Sequence, residues 1–380
     1  TGYGQTDISE KNPELKKYKN IIINIGGSEI IINPIFISIV IGALLLLLGL
    51  SPIIMHYLNF TDIGFGSEDF TSVCGRQFCL MGYRASSTTG ELIGPYGLGA
   101  GILSLSVTMA LGLGLGIYYK LRSKNIMKIR ERAKKLELEF ASALFQLGNR
   151  LGDGLPAEIA FGKVANIMQG TVSGSFFKLV SKNITRLGMS VKKAIFDPTY
   201  GALISFPSNL IESSMKVLVQ SVKKGPVIAA QALVNVSRYI KEIHTVNERL
   251  KDLMADIISS MNSQIKFLAP AISGIVIGIT SMVTGIIGKL GAQLQNITLG
   301  AGEQAGLTSI FGDGIPTYYF QIIVGLYIVQ ITYILTILVN GIENGSDKLN
   351  ERNELGNNLI SSTLLYCIIS LAVMLIFNIV

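Results

Sequence analysis

Ala43-Leu44-Leu45-Leu46-Leu47-Leu48 lies inside an uncharged run covering residues 35–57. A helix needs about 20 apolar residues to cross roughly 30 Å of hydrocarbon, so this run is long enough. Four further uncharged runs meet the same test, at residues 97–119, 267–288, 318–341 and 359–380. Each is expected to be helical, because lipid offers no partner to an open backbone. The first run starts too far into the chain and is too long to be a cleaved signal peptide.

Composition agrees. Only 15% of the 380 residues are charged and 49% are hydrophobic, whereas soluble domains carry about 25% charged residues. The mean hydropathy is +0.49. These values exclude a simple soluble globular protein and an intrinsically disordered one. The 32 Lys and Arg residues exclude a chain embedded in lipid throughout.

The charge is unevenly placed. Residues 120–266 hold 23 Lys and Arg against 11 Asp and Glu, or +12, which leaves −5 elsewhere from a total of +7. Residues 58–95 carry Arg76 and Arg84 against Asp62, Glu68, Asp69 and Glu91. Residues 290–316 carry Glu303 and Asp313 and no base. By the bias of Lys and Arg towards the cytoplasmic side, the basic segment is expected inside and the acidic loops outside. The reading is therefore an all-α, polytopic membrane protein with a cytoplasmic antiparallel helical-bundle domain. Its segments are a juxtamembrane piece (1–34), span one (35–57), an external loop (58–96) and span two (97–119). The helical domain (120–266), span three (267–288), a second external loop (289–317), span four (318–341), a cytoplasmic loop (342–358) and span five (359–380) follow. The short loop 342–358 is slightly acidic and fits the charge rule poorly.

Within the helical domain, residues 120–147 contain neither Gly nor Pro, and Phe140, Leu144, Leu147 and Leu151 form one stripe. Gly152-Asp153-Gly154 ends that helix and Pro156 suits the first turn of the next. Between Pro226 and Pro270 there is again no Gly or Pro, and Ile243, Val246, Leu250, Leu253, Ile257, Met261 and Ile265 step by threes and fours. Such a helix either packs the bundle or carries displacement towards span three. Residues 21–25 and 28–33, around Gly26-Gly27, suit either a short β-hairpin or a juxtamembrane linker.

Enzyme chemistry is not expected. His56 ends span one and His244 reads as a solvated residue of the long helix. No phosphate-binding loop, His-Glu-x-x-His or other metal set occurs, so no cofactor is expected. Cys74 and Cys79, in an external loop, form a possible disulfide, with metal binding the weaker reading. Cys367 reads as a small apolar residue of span five. Gly97/Gly101, Gly112/Gly116 and Gly274/Gly278 have the spacing that lets membrane helices approach closely. Gln321, Gln330 and Asn340 are the strongly polar residues of span four. Bases beside a span follow from topology, but Arg150, Lys192, Lys193, Lys223 and Lys224 lie further away and mark a candidate partner surface.

Phe140-Ala-Ser-Ala-Leu144-Phe-Gln-Leu147-Gly-Asn-Arg-Leu151-Gly-Asp-Gly154-Leu-Pro156-Ala-Glu158-Ile-Ala resembles the signature of the type II secretion system F family. The family motif falls on Phe140, Leu144, Leu147, Gly154 and Pro156. The Ile/Lys-rich composition and the spans after the domain resemble the archaeal branch, which includes platform proteins of archaeal type IV pili and the archaellum. The resemblance covers residues 120–380. Family members usually have two such domains and this chain shows one, beginning at Thr1 rather than Met, so it is expected to be a C-terminal half or a truncated sequence. The resemblance implies a platform without catalytic residues in the cytoplasmic membrane, working with a hexameric secretion ATPase, pilin-like filament subunits, lipid and a second copy as a homodimer, and with no nucleic acid. Arg150, Lys192, Lys193, Lys223 and Lys224 then become candidate ATPase contacts. The alternative is a permease or exporter subunit driven by a separate ATPase, with Gln321 and Gln330 lining a polar path.

Overall fold

The computed structural model describes residues 21–25, 28–58, 63–68, 76–85, 92–206, 208–298, 316–345 and 347–379. Two strands, β1 (Ile21–Ile25) and β2 (Ser28–Ile32), pair antiparallel with Ile21 opposite Ile32. The hairpin reading therefore holds over the linker reading. Helix α1 (Pro34–Tyr57) follows, then a three-stranded antiparallel sheet, β3 (Ile63–Glu68), β4 (Arg76–Ala85) and β5 (Leu92–Tyr96). The remaining elements are helical: α2 (Leu98–Gly152), α3 (Ala157–Ile167), α4 (Val172–Leu187), α5 (Val191–Phe196), α6 (Ala202–Ser205), α7 (Asn209–Val222) and α8 (Pro226–Ser263). A π-helical turn, Gln264–Leu268, leads into α9 (Ala269–Thr298), followed by α10 (Thr317–Asn344) and α11 (Lys348–Ile379). The protein is all-α and polytopic. Among the described residues, five helical segments are long and apolar enough to cross a membrane, within Pro34–Tyr57, Leu98–Lys124, Pro226–Ile287, Thr317–Asn344 and Lys348–Ile376.

Several boundaries move. Gly97, assigned to span two, stands outside the helix with φ 112°. Span two and the basic helix after it are one helix of 55 residues, because charge ends an apolar run without ending a helix. For the same reason the loop 342–358 shrinks: α10 reaches Asn344 and α11 starts at Lys348, well before residue 359. The loop 289–317 likewise loses its start, since α9 extends to Thr298. The segment 58–96, read as a loop, holds the β3–β4–β5 sheet. Cys74 lies outside the described residues, as does the side chain of Cys79, so the disulfide expected there does too.

The chain divides into two compact units. The helical unit comprises Lys124–Asp256 and Gly345–Leu349, with Thr1–Lys19 outside the described residues, and the membrane unit comprises Asn20–Ser123, Ile257–Asn344 and Asn350–Val380. In the helical unit, Leu136, Phe140, Ala143, Leu144, Leu147 and Leu151 of α2 are all buried. They meet Ala160, Phe161 and Val164 of α3, Phe176, Phe177 and Val180 of α4, and Leu233 of α8. The rings of Phe140 and Phe176 stand edge to face with centroids 6.0 Å apart, a favourable quadrupolar arrangement. Two acids of α2 secure the starts of other helices. Glu139 accepts from the backbone N–H of Ser173 at 3.1 Å, and Glu137 accepts from the hydroxyl of Ser208, the N-cap of α7, at 2.7 Å. A carboxylate there satisfies unpaired donors and complements the positive end of the helix dipole.

The membrane unit is held by glycines and buried polar side chains. A Cβ at Gly112 would collide with Thr363, and one at Gly274 would lie 2.8 Å from Cγ2 of Ile369. Gly101, Gly116 and Gly278 likewise press against Met374, Ile360 and Val373. The spaced glycines thus seat α2 and α9 on α11. Cys367 is a free, buried cysteine on the same helix, as its apolar reading requires. In α1, Pro52 lacks the N–H that would bond the carbonyl of Leu48. The hydroxyl of Ser51 donates to that carbonyl instead, at 2.7 Å. His56, near the end of α1, stacks on Tyr83 of β4 with centroids 3.7 Å apart.

Candidate functional site

The motif residues divide between core and turn. Phe140, Leu144 and Leu147 are fully buried. Gly154 sits at φ 82° with open space around it, and Pro156 caps α3. The Gly154 N–H donates to the Leu151 carbonyl at 3.0 Å and the Leu155 N–H to that of Arg150 at 3.2 Å, closing the end of α2. A residue other than glycine would be strained there.

The five candidate bases lie on different elements. Arg150 is on the last turn of α2, Lys192 and Lys193 are on α5, and Lys223 and Lys224 follow α7. All four lysines are exposed and none forms an ion pair among the described residues. Helix α5 packs against α7, which links the elements carrying the two lysine pairs. Arg150 pairs with Asp153 at 3.5 Å inside its own turn, while its Nε is buried without a hydrogen-bond partner among the described residues.

Arg150 lines an open groove of about 770 Å³ between the end of α2 and the start of α8. Gln146, Asn149 and Asp153 form one wall, and Gln231, Val234 and Asn235 form the other. The helices come close because Gly148 has no side chain: a Cβ there would lie 3.2 Å from the Ala230 carbonyl. Four carboxamides and a guanidinium give the groove donors and acceptors suited to a polar peptide segment.

The lysines of α5 are positioned by a built loop. Asp197 Oδ1 accepts from the Thr199 N–H at 2.8 Å, the Thr199 hydroxyl at 2.6 Å and the Tyr200 N–H at 3.0 Å. Those bonds, the Thr199 hydroxyl first, hold the Asp197 carboxyl below its ordinary range. From α4, the Asn183 amide donates to the Tyr200 carbonyl at 2.7 Å and the Ala194 carbonyl at 3.3 Å. A buried asparagine thus ties α5 and its loop to the core.

The stripe on the long helix is bare over part of its length. Ala229, Leu233 and Ile240 bury the first half of α8, but Val246, Leu250 and Leu253 are exposed, the last by 76%. His244, expected to be solvated, has its Nε2 shut off from solvent and without a hydrogen-bond partner among the described residues. Beyond the stripe, the π turn places the Ala269 N–H on the Gln264 carbonyl. Pro270 is the cause: it cannot donate to the Lys266 carbonyl and would clash with it, so the backbone widens by one residue just before it. The π turn itself was not read from the sequence, and such turns recur at hinges and functional sites.

The polar residues of span four part company. Gln321 is fully buried, accepts from the hydroxyl of Ser104 and donates to the Met374 sulfur at 2.8 Å. Asn340 is buried and accepts from Asn350 at 2.9 Å. Gln330 is exposed. Gln321 therefore lines a packed helix contact rather than a polar path. Among the described residues no group of His, Cys, Asp and Glu could hold a metal ion. No family model, curated protein or solved structure matches this chain.

Proposed function

We propose that this protein is the membrane platform of a type IV pilus-like assembly machine, of the archaeal pilus or archaellum kind, and works without catalytic residues of its own. In this reading the basic helical unit faces the cytoplasm and docks a hexameric secretion ATPase. The membrane helices form the seat from which pilin-like subunits leave the bilayer. One observation carries the reading. The first half of α8 packs in the core of a unit bearing exposed lysines, and its backbone continues as helix through a π turn into an apolar segment of membrane length. In this reading that helix carries displacement towards the membrane segment, with the π turn as its hinge. Val246, Leu250 and Leu253 leave one stripe of that helix exposed. The packing of Gln321 speaks against the exporter alternative.

The test is co-purification with the ATPase. Changing Arg150, Lys223 and Lys224 together to Glu is expected to abolish it and to abolish filaments, with the helical unit still folded, because all three lie outside the core. Docking by wild type is expected to weaken between roughly 0.1 M and 1 M salt as screening shortens from about 10 Å to about 3 Å. Unchanged co-purification with normal filaments would contradict the proposal.

A further inference from the structure

Helix α10 carries a polar group at the worst possible depth. Gln330 lies halfway along Thr317–Asn344, about 20 Å from each end at 1.5 Å per residue. It therefore sits near the middle of the hydrocarbon. Its side chain is exposed and has no hydrogen-bond partner among the described residues. Smaller polar groups on neighbouring membrane helices satisfy themselves: the hydroxyls of Thr280 and Thr284 on α9 bond carbonyls one turn back. The other strongly polar residues of the apolar run 318–341, Gln321 and Asn340, are buried and partnered. An amide left facing lipid is costly, and such amides draw membrane helices together.

The surroundings of Gln330 fit a helix neighbour. Ile323, Tyr327, Gln330, Ile334 and Gly341 recur at intervals of three, four and seven and fall on one narrow stripe. Ile323 is 65% exposed, Tyr327 54% and Ile334 62%. Gly341 lies in open space. Gly325, on the same helix, instead presses against Thr108. Gly341 thus weakens its helix with no return inside this chain, but permits close approach of another backbone.

We propose that α10 docks on α10 of a second copy across a two-fold axis along the membrane normal, with the two Gln330 carboxamides hydrogen-bonded to each other. The occupant follows from chemistry and depth. A carboxamide both donates and accepts, so an identical group satisfies it reciprocally. A second copy brings that group to the same depth without further adjustment, whereas another helix would need its own polar group there. Gln330 also sets register, since a slip of one turn places each amide against apolar side chains. This inference rests on α10 being a membrane span and not on the platform reading, so either can fail alone.

The test uses the full chain in phosphatidylcholine vesicles, with donor and acceptor dyes at the N-termini of two batches. Energy transfer is measured while lipid is added. Wild type is expected to associate, and Gln330→Leu to need roughly tenfold more protein per lipid to do so. Gln330→Asn, which keeps the reciprocal amide, is expected to stay near wild type. Leu at an exposed membrane position leaves the single chain intact, so loss of transfer reports association. A second arm uses Cys in place of Ile334, or of the buried Ile328, after the native cysteines are replaced. Only the Ile334→Cys chain is expected to cross-link between copies. Unchanged association of Gln330→Leu, or wild type that stays monomeric at every ratio, would overturn the proposal. The monomeric outcome would assign the face to another protein's helix.

Discussion

The two units solve opposite packing problems. The helical unit buries Phe140, Phe161, Phe176 and Phe177 and exposes Lys192, Lys193, Lys223 and Lys224. The membrane unit buries Ser104, Thr108, Gln321, Thr332, Asn358 and Ser362 and exposes Val40, Leu44, Leu47, Ile323 and Ile334. In the first, burial follows the removal of apolar surface from water. In the second, lipid is as apolar as leucine, so close glycine contacts and internal hydrogen bonds hold the helices. Thr332 with Ser362 at 2.9 Å, and Asn358 with Thr336 at 3.2 Å, are bonds of that kind. One chain thus obeys two rules, according to the solvent around each unit.

That comparison can be broken by substitution. Phe140→Ala should have the largest effect, about 3–5 kcal/mol of the helical unit's stability, because it opens a cavity in an aromatic cluster. Urea unfolding read by limited proteolysis between 124 and 256 would measure it, with the membrane unit unaffected. Gly112→Leu should cost about 1–3 kcal/mol in the membrane unit by overpacking against Thr363, seen as a lower melting temperature in detergent. Gly285→Ala is the control, since open space surrounds Gly285, and the melting temperature should not fall. Gln321→Leu should cost about 1 kcal/mol by removing the bond with Ser104, measured in the same melt.

The smallest effect sharpens the comparison on the wet side. Asp197 has its carboxyl held below the ordinary value of 3.8 by the bonds from Thr199 and Tyr200. The contribution of its charged form is present above that value and lost as pH falls through the lower folded one. Nicking of the 197–201 loop by an acid-active protease should rise as pH drops below about 3.8. The loop in Asp197→Asn should not respond, because that side chain keeps an acceptor and does not titrate.

The sequence marked the five apolar segments, the buried stripe from Phe140 to Leu151, the turn at Gly154 and Pro156, and the glycines that seat helices. These were legible because each is a local pattern: a run length, a helical period, a residue that alone tolerates a conformation or a close approach. The extent of α2 and α11 was not legible, because hydropathy stops at the first charges while helix continues through Lys120 and Lys348. The β3–β4–β5 sheet was hidden because its pairing joins strands with weak alternation across intervening segments. Gln321, Gln330 and Asn340 look alike in sequence. Only the packing of α2 and α11 around α10 separates the two that are satisfied from the one that is bare. The lysine pairs were legible as residues, but the tie that Asn183 makes from α4 to the helix of Lys192 and Lys193 depends on contacts between elements.

Site-directed accessibility tests the two-solvent account most directly. In a chain whose native cysteines are replaced, Lys192→Cys and Leu47→Cys are exposed separately to a membrane-impermeant maleimide in sealed vesicles of both orientations. Both side chains are exposed on the protein surface, so only the surrounding solvent distinguishes them. The expected result is labelling of Lys192→Cys in inside-out vesicles alone and of Leu47→Cys in neither. Labelling of Leu47→Cys as readily as Lys192→Cys, or of Lys192→Cys from the outer side, would contradict the account.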